Sequence, residues 1–449
     1  MPLFKAYDIR GIVPDELDRA KAYSIGRAIA AFIGSGPIAV GRDARVHSPE
    51  LTTALVDGIR DEGIDVLELG LVATPMLYFG VEELTANAGV MVTASHNPGE
   101  YNGFKICRAH AVPVGEASGL KEIEALVPER ENAPKVSPRG SIREHDIVRP
   151  YGAHALSVGK HRPPLKVAID CGNGMASAGL GPVLEALPID VVELYFEPDG
   201  RFPNHEADPL KVENLQDVAD AVRREGADFG VAFDGDGDRA VFVDENGQPI
   251  SADLATALIA RHVLRREPGA RVLYDLRSSR VVAEEIERAG GVSGMCRVGH
   301  SFVKAQMREE GAIFAGELSG HLYFRFSKDL IADDGTAALV AMLDVLGAEE
   351  ARLSELIAPL RCYSASGEIN RRVADTDHVI ETIAGEHSDA PEISRLDGLL
   401  VRYETWWFNI RASNTEPVLR LNLEADTEGE MTERRDEILG RIEALGAGD

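Results

Sequence analysis

One pattern recurs three times along the chain: a short apolar run ends in a polar turn, and a helix-like pattern follows. The runs occupy residues 37–40, 166–169 and 271–274. Apolar runs of this length between turn residues are typical of buried strands. Because the runs start about 130 and about 105 residues apart, the sequence favours three α/β units of similar plan over one large sheet.

The last part of the chain has a different pattern. Residues 399–403, 406–410 and 418–423 resemble strands, and a charged helical stretch follows at 428–445. This order is typical of a small α+β domain with an antiparallel sheet. The segment 128–150 is rich in proline and charge and predicts a linker. The chain is therefore expected to form four domains, at residues 1–148, 149–250, 251–362 and 363–449.

Charge and composition exclude several classes of protein. The net charge of −27 argues against nucleic acid or an anionic membrane as partner, since both require a basic surface. No window approaches 18 consecutive apolar residues, and the N-terminus lacks the apolar segment of a signal peptide. The four cysteines lie far apart without a Cys-x-x-Cys pair, which favours buried free thiols. We expect a cytoplasmic protein.

The first candidate site follows an apolar strand pattern and has the sequence Thr-Ala-Ser-His-Asn-Pro-Gly, residues 93–99. Small hydroxylated residues before Asn-Pro-Gly predict a sharp, exposed loop. Ser95 is a candidate nucleophile with His96 beside it, although an ordinary turn explains this loop equally well when it is taken alone. The Gly-x-Ser-x-Gly motif of serine hydrolases is absent, since Thr93 and Asn97 flank the serine at that spacing.

The second candidate site is an alternating run of aspartate and glycine that contains Asp234, Asp236 and Asp238 and ends at Arg239. Three carboxylates this close repel one another unless a cation binds them. Glu245 stands where a calcium EF-hand has its last ligand, but Arg239 occupies the position that needs glycine, and the flanking runs resemble strands rather than helices. Few carboxylates with open positions favour Mg²⁺ bound to a phosphate.

The third candidate is the loop Gly-Glu-Leu-Ser-Gly-His, residues 316–321, after another apolar run. Glu317 and Ser319 are two residues apart, so on an extended loop they point the same way and offer an acceptor and a hydroxyl to a sugar. A solvated loop is the alternative for this motif alone.

The fourth candidate is the run that begins at Arg411 and contains Ser413, Asn414 and Thr415. A guanidinium, two hydroxyls, an amide and backbone N–H groups can cradle a phosphate, although Ser-Asn-Thr is also common in plain turns. The four candidate sites lie one in each expected domain. Such a set predicts a single cleft between four domains.

As a set these motifs resemble the α-D-phosphohexomutase superfamily, and within it the phosphomannomutase/phosphoglucomutase group. The resemblance runs nearly end to end and includes the opening motif Lys-Ala-Tyr-Asp-Ile-Arg-Gly, residues 5–11. It implies an α/β fold in which three similar α/β domains with mixed sheets, plus a C-terminal α+β domain, are arranged around a central cleft. It also implies that Arg10 reaches the active site and that Tyr7 and His321 contact substrate.

The resemblance further implies a mechanism. Ser95 is phosphorylated in the active enzyme, and together with the three aspartates it binds Mg²⁺, while Arg239 assists the transfer. The phosphoryl group passes to a hexose monophosphate and gives a hexose 1,6-bisphosphate. This intermediate turns around in the cleft and returns its other phosphate to Ser95. The distal phosphate is held by the fourth motif, namely Arg411, Ser413, Asn414 and Thr415.

The resemblance also implies roles for further residues in proton transfer and phosphate binding. Lys105 and His300 are candidates for acid–base roles, with a surface lysine and a structural imidazole as their alternatives. Arg277 is expected to bind substrate where relatives often have lysine. Arg297 and Val298 precede Gly-His where the family often has Lys-Thr. The positive charge is kept at both positions.

The choice of sugar depends on the third motif. If Glu317 and Ser319 contact the 3- and 4-hydroxyls, glucose and mannose, which differ only at C2, should both be accepted. Phosphoglucosamine mutase is the alternative, although that group tends to have glutamine where Leu318 stands. A non-catalytic sugar-phosphate-binding homologue and a Mg²⁺-dependent phosphatase are alternatives of other classes. The partners expected are small hexose phosphates, and the enzyme is expected to be a monomer or homodimer.

Overall fold

A computed structural model of the protein describes residues 3–412 and 418–446. The described chain forms four sheets, each flanked by helices, and we call each sheet with its helices a unit. The first unit consists of β1 (Ile9–Ile12), α1 (Arg19–Ile33), β2 (Ile38–Arg42), α2 (Ser48–Asp61), β3 (Val66–Leu71), α3 (Thr74–Glu83), β4 (Ala88–Val92), β5 (Tyr101–Arg108), β6 (Val112–Pro113), α4 (Leu120–Glu131) and β7 (Ile142–Glu144).

The second and third units follow in chain order and are built alike. The second consists of α5 (Val148–Leu156), β8 (Lys166–Asp170), α6 (Ala176–Glu185), β9 (Asp190–Leu194), α7 (Gln216–Glu225), β10 (Phe229–Phe233), β11 (Ala240–Asp244) and β12 (Pro249–Ile250). The third consists of α8 (Ala252–Leu264), β13 (Arg271–Asp275), α9 (Arg280–Arg288), β14 (Val292–Cys296), α10 (His300–Glu310), β15 (Phe314–Gly316), β16 (Leu322–Arg325), β17 (Ile331–Asp333), α11 (Gly335–Glu349) and α12 (Leu353–Ile357).

The fourth unit consists of β18 (Ser364–Ala365), β19 (Ile369–Arg372), α13 (Thr376–Glu386), β20 (Glu392–Ser394), β21 (Leu399–Arg402), β22 (Trp406–Ala412), β23 (Val418–Ala425) and α14 (Glu428–Gly446). Its sheet is antiparallel with the order β18-β23-β22-β21-β20, and β19 also pairs with β23. The expected change of pattern in the last part of the chain is confirmed.

The first three sheets share one mixed topology. Their central strands β2, β8 and β13 each pair in parallel with two neighbours, β3 and β4, β9 and β10, and β14 and β15. The second neighbour in each case then pairs antiparallel with the next strand, β5, β11 or β16. The prediction of three similar α/β units with mixed sheets is therefore confirmed. A consequence is that the loops after β4, β10 and β15 occupy equivalent positions.

Packing joins the first three units more closely than it joins the fourth. One cluster of buried apolar side chains runs through all three, and includes Met76, Phe233 and Leu339. The fourth unit has a separate core around Phe408. Its contact with the third unit includes a small apolar cluster of Leu276, Leu400 and Trp407, with partly buried neighbours. We therefore expect the fourth unit to move more easily than the other three.

The segment 128–150, expected to be a linker, is mostly part of the first unit. Pro128 lies inside α4, and β7 pairs in parallel with β3. All three residues of β7 are exposed, so this edge strand has no apolar pattern by which the sequence could reveal it. The linker prediction was wrong for this reason.

Two further observations concern the chain as a whole. Within residues 3–412 and 418–446, no helix combines the length and apolar character that crossing a membrane requires. Cys107, Cys171 and Cys296 are buried free thiols as expected, whereas Cys362 is exposed.

Candidate active site

Three of the four predicted motifs are the loops at the equivalent positions after β4, β10 and β15. The loop after β4 contains Ser95, the loop after β10 contains the three aspartates, and the loop after β15 contains Glu317. Side chains from the first two loops are in direct contact, because the Ser95 hydroxyl donates to Asp234 Oδ2 at 2.9 Å. The shared topology therefore brings residues that are far apart in sequence to one place.

Ser95 is held in a left-handed backbone conformation with φ of 52°. This conformation costs a non-glycine residue about 1 kcal/mol, so the surrounding loop must stabilise it. The Ser95 amide donates to Thr93 Oγ1 at 3.0 Å. The Ser95 side chain is almost fully buried, and its hydroxyl also lies 3.1 Å from Nδ1 of His96. Burial lowers the pKa of His96 well below its ordinary value, so the ring is neutral.

Arg45 supports this loop from beneath. Its guanidinium donates to the backbone carbonyls of Ser95, Asn97, Pro98 and Tyr101 at distances from 2.6 to 3.1 Å. The side chain is buried, and its charge is matched by Asp43 at 3.1 Å. One buried cation thus fixes four carbonyls of the serine loop, and this determines where the Ser95 hydroxyl points.

The three aspartates are buried, and one carboxylate oxygen of each lies within 4.8 Å of the others. The intervening glycines make this spacing possible. A Cβ at Gly235 would lie 2.4 Å from the Ser95 carbonyl oxygen, and Gly237 has a φ of 78°. Strands β10 and β11 flank the loop, as the sequence predicted.

The triad has more hydrogen-bond acceptors than the described residues supply with donors. Oδ1 of Asp236 and Oδ1 of Asp238 are buried and have no hydrogen-bond partner among the described residues. Burial, followed by repulsion from the other two carboxylates, raises the pKa of Asp234 well above its ordinary value. Unpaired oxygens and mutual repulsion are what a bound divalent cation would relieve, so the donor set fits a magnesium ion.

Lys105 and Thr74 complete the surroundings of the triad. The ammonium of Lys105 lies 2.7 Å from Asp236 Oδ2 and 2.6 Å from Asp238 Oδ2. Burial opposes its charge, but the nearby carboxylates outweigh this and raise the pKa of Lys105. The Thr74 hydroxyl donates to Asp236 Oδ2 at 2.6 Å. Both residues come from the first unit, so they help to lock the first unit onto the second.

The loop after β15 connects this triad to the third unit. His321 Nε2 lies 3.4 Å from Asp238 Oδ1, and the other ring nitrogen lies 2.9 Å from the Ser319 hydroxyl. Glu317 is buried and accepts from the Gly299 amide at 2.7 Å and from the Tyr323 hydroxyl. The two residues expected to contact a sugar are thus held in place by charged and polar neighbours.

The same loop leads on to a group of arginines. The Leu318 amide donates to Asp275 Oδ2 at 2.7 Å, and Asp275 binds the guanidinium of Arg277 at 2.8 Å. Arg277 then contacts Glu368 of the fourth unit at 3.4 Å. Glu368 also contacts Arg411 at 3.4 Å and Arg420 at 3.2 Å. The loop after β15 thus contacts the aspartate triad through His321 and the partner of Arg277 through Leu318. We define Arg277, Arg411 and Arg420 as the arginine cluster.

The remaining predicted residues lie around the same region. Arg10 donates to the Asn97 side chain in the serine loop. Arg239 lies 3.8 Å from Asp234 Oδ2 and donates to His321 Nε2 at 3.3 Å. Tyr7 donates to the Val298 carbonyl at 3.2 Å.

His300 is half-buried and lies between the rings of Tyr7 and His321, at centroid distances of 5.9 and 6.5 Å. Its Nδ1 has no hydrogen-bond partner among the described residues. Burial, followed by repulsion from Lys304, lowers the pKa of His300 well below its ordinary value. Ser413, Asn414 and Thr415 lie outside the described residues.

A second group of potential metal ligands lies away from this region. His161, His262 and Asp344 come within 4.8 Å of one another. Here the charge is already balanced, because Arg266 contacts both Asp344 and, at 3.1 Å, Nε2 of His262. The Arg266 guanidinium thus supplies the positive charge here, whereas two oxygens of the aspartate triad have no hydrogen-bond partner among the described residues.

Comparison with protein families matches the chain in four consecutive parts. The matching descriptions are "Phosphoglucomutase/phosphomannomutase, alpha/beta/alpha domain I" for residues 1–134, domain II for 151–247, domain III for 251–363, and the C-terminal domain for 368–441.

Curated relatives match over almost the whole length. "Phosphohexose mutases" of Xanthomonas campestris is 38% identical over 98% of this chain and 99% of its own. "Phosphomannomutase" of Methanocaldococcus jannaschii is 40% identical over 99% and 98%. The chain belongs to the phosphoglucomutase/phosphomannomutase family. Proteins so named are isomerases that act as phosphotransferases, and the family resemblance inferred from the motifs is confirmed.

A solved structure shows the same architecture. The phosphoglucomutase/phosphomannomutase family protein of Burkholderia thailandensis superposes with a TM-score of 0.91 at 34% identity, covering 99% of this chain and 98% of that one. The similarity extends over all four units. The phosphohexomutase fold is thus shown for the whole described chain.

Sequence reasoning missed four residues of this phosphohexomutase cleft: Arg45, Thr74, Glu368 and Arg420. Arg45 lies in an Arg-Asp-Ala-Arg turn directly after β2, and a charged turn at the end of a central strand is a signal that could have identified it. Arg420 is an inconspicuous residue in a strand, and Glu368 lies between two short strands. Only the pairing of β19 with β23 brings these two together.

Proposed function

We propose that this protein interconverts the 1-phosphate and 6-phosphate of mannose and glucose, with Ser95 as the phosphoryl carrier. The observation that supports this most is the contact of 2.9 Å between the Ser95 hydroxyl and Asp234 in the buried aspartate triad. A hydroxyl next to a cation site suits phosphoryl transfer, in which positioning and charge neutralisation supply most of the rate. The three arginines grouped around Glu368 support a substrate with a second phosphate-binding end.

In the proposed reaction the phosphoserine P–O bond breaks and a P–O bond to the free hydroxyl of a hexose monophosphate forms. The sugar hydroxyl gives up its proton, and the Ser95 oxygen that leaves phosphorus takes up a proton, which restores the serine hydroxyl. The product, a hexose 1,6-bisphosphate, turns around and returns its other phosphate to Ser95. Asp234, Asp236, Asp238 and the Ser95 oxygen would hold Mg²⁺, which would supply positive charge to neutralise the transferring group.

Residues near Ser95 would position the transferring group and move protons. Lys105 and Arg239 carry positive charge beside the aspartates, and Arg10 binds the serine loop through Asn97. His96 and His300 have lowered pKa values through burial, so each ring is neutral and able to accept a proton. We propose Lys105 and His300 as the acid–base pair.

The arginine end would hold the phosphate that is not being transferred. Arg277 and Arg411 are the described residues proposed for this role, with Ser413, Asn414 and Thr415 expected to join them. Guanidinium groups recognise phosphate oxygens whatever carbon the phosphate is attached to. Both orientations of the bisphosphate can therefore bind, as the mutase reaction requires.

Sugar specificity would come from Glu317 and Ser319, with Tyr7 and His321 beside them. Contacts to the 3- and 4-hydroxyls do not depend on the configuration at C2, so we expect both mannose and glucose phosphates to react. A panel of mannose, glucose and glucosamine phosphates, assayed with a trace of hexose 1,6-bisphosphate, tests this expectation. Turnover of the amino sugar alone would instead support a phosphoglucosamine mutase.

The mass of the intact protein tests the proposed carrier. After incubation with glucose 1,6-bisphosphate, we expect one added phosphoryl group, which peptide mapping should place on Ser95. A protein without this addition would be a sugar-phosphate-binding homologue that lacks catalysis. The buried hydroxyl, the three aspartates and the arginine cluster all support the catalytic alternative.

We further propose domains at 1–148, 149–250, 251–362 and 363–449, and a cytoplasmic enzyme that acts as a monomer or homodimer on small hexose phosphates. The net charge of −27 supports the absence of nucleic-acid and membrane partners. Gel filtration with light scattering distinguishes the two oligomeric states by mass.

A further inference from the structure

Glu368 lies among the three guanidinium groups of the arginine cluster. Its Oε2 accepts from Arg277 and from Arg411, each at 3.4 Å, and its Oε1 accepts from Arg420 at 3.2 Å. The Glu368 side chain is partly buried, with an exposure of 25%. Burial opposes its charge, but Arg277, Arg420 and Arg411 outweigh this and keep the pKa of Glu368 below its ordinary value. The carboxylate is therefore an anion within a cationic pocket.

The fold creates a need for an anion at this point. Arg411 on β22 and Arg420 on β23 are directly opposite each other in the antiparallel register. Like charges in this position destabilise a sheet. Burial, followed by repulsion from Arg277, lowers the pKa of Arg411. Glu368 offsets the repulsion by contacting both members of the pair.

The contacts of Glu368 are nevertheless loose. Charge-assisted hydrogen bonds are about 2.7–2.9 Å long, and Asp275 binds Arg277 at 2.8 Å. All three contacts of Glu368 are longer, at 3.2 to 3.4 Å. In addition, Nε of Arg411 and Nε of Arg420 are buried without a hydrogen-bond partner in the described part of the chain. The cluster therefore has donors left over for a second anion.

We infer that Glu368 is a resident anion, which neutralises the arginine cluster in the free enzyme and competes with the non-transferring phosphate of the substrate. In this account Arg420 is a further phosphate-positioning residue. The inference deepens the proposed function and rests on it, because it concerns the same phosphate-binding end. Competition serves the reaction, since the bisphosphate must leave this end and return reversed. A cluster without the carboxylate would bind phosphate too tightly for rapid release.

The first test is Glu368→Gln, which keeps the shape of the side chain and removes its charge. Because the competing anion is gone, we expect the KM for glucose 1-phosphate and the inhibition constant of inorganic phosphate each to fall about fivefold or more. The kcat should fall about threefold or more, because the intermediate reorients more slowly. Glu443→Gln is the matched control, since this exposed glutamate of the fourth unit pairs only with Arg371 among the described residues. It should leave all three constants unchanged.

A different result separates the alternatives. A purely structural role for Glu368 predicts a lower Tm with a higher KM, and that outcome, or unchanged constants, would overturn the inference. Failure of the proposed function has another signature: the wild-type enzyme would neither turn over hexose phosphates nor gain a phosphoryl group on Ser95.

The second variant, Arg420→Gln, tests the cluster if Glu368→Gln does not fold. We expect its KM for glucose 1-phosphate to rise about fivefold, because one phosphate donor is lost. Its Tm should be unchanged or higher, because the repulsion between opposite arginines is relieved. An unchanged KM would overturn the role given to Arg420.

Discussion

The two ends of the cleft carry opposite charge imbalances. At the serine end, three buried aspartates share two nearby cations, Lys105 and Arg239. At the arginine end, three guanidinium groups face two carboxylates, Glu368 and Asp275. One end therefore calls for a cation and the other for an anion. Because the net charge of the protein is −27, we expect phosphate binding to depend on this local cluster and not on the surface as a whole.

The two ends also differ in how they are packed. The serine end is built from loops of units that share one apolar core. The arginine end lies where the third unit meets the fourth, whose core is separate. We infer that the serine end is rigid, which suits chemistry that depends on position, and that the arginine end can open and close.

The largest effect is expected from Ser95→Ala, which removes the carrier at the serine end only. We predict a loss of about 10⁴-fold or more in kcat, because the covalent route is lost. Affinity for glucose 6-phosphate, measured by calorimetry, should change less than about threefold, because the arginines remain. Ser388→Ala, an exposed serine far along the chain, should have no effect. Retained turnover in Ser95→Ala would contradict the role of Ser95 as the phosphoryl carrier, and with it the functional difference between the two ends.

A smaller loss is expected from Asp236→Asn, which keeps the shape and removes one charge of the triad. We predict a decrease in kcat of about 100-fold or more, partly restored by high Mg²⁺, because the cation site is weakened. Steady-state kinetics over a range of Mg²⁺ concentrations measure this. The control is Asp220→Asn, an exposed aspartate on α7 of the same unit. Equal losses in both variants would contradict a specific cation site.

A binding effect should follow Arg411→Gln at the opposite end. We predict a KM about tenfold higher for glucose 1-phosphate, since a charged phosphate donor is lost, while Mg²⁺ dependence stays unchanged. Initial rates at fixed substrate and varied Mg²⁺ check the second part. If the variant instead needed more Mg²⁺, the two ends would not be independent.

The smallest effects are thermal shifts, and they address both ends together. At about 100 times its Kd, a ligand stabilises a folded protein by about 2.7 kcal/mol. We predict that Mg²⁺ raises the Tm of the wild type and of Arg411→Gln but not that of Asp236→Asn. Inorganic phosphate should raise the Tm of the wild type and of Asp236→Asn but not that of Arg411→Gln. Scanning calorimetry measures all six combinations, and any loss of this crossed pattern would weaken the comparison.

Much of the fold follows from local patterns in the sequence. The strand patterns that precede the serine loop and the aspartate run are β4 and β10 in the structure, because strands buried on both faces are continuously apolar. Strand β7 was missed because its residues are exposed and its pairing is through the backbone alone. The sequence could therefore indicate the core strands but not an edge strand that contributes no side chain to the core.

The serine end was more predictable than the arginine end. The aspartates of the triad stand at alternate positions of one short segment. Their mutual repulsion is a physical reason to expect a bound cation, and it can be recognised in the sequence alone. Glu368 and Arg420 are isolated in sequence, and only the packing of two units and the register of two strands bring them to Arg277 and Arg411. Arg45 was missed because its partners are backbone carbonyls, which leave no mark on the sequence.

The most direct test of the central claim, that Ser95 carries the phosphoryl group between sugars, is to follow that group itself. The enzyme would be labelled with ³²P by labelled glucose 1,6-bisphosphate, freed of excess label and mixed with unlabelled glucose 6-phosphate. We predict that the label leaves Ser95 and appears in glucose bisphosphate and then in the glucose monophosphates. Label that appeared only in inorganic phosphate would show a phosphatase, and label that never entered Ser95 would contradict the account altogether.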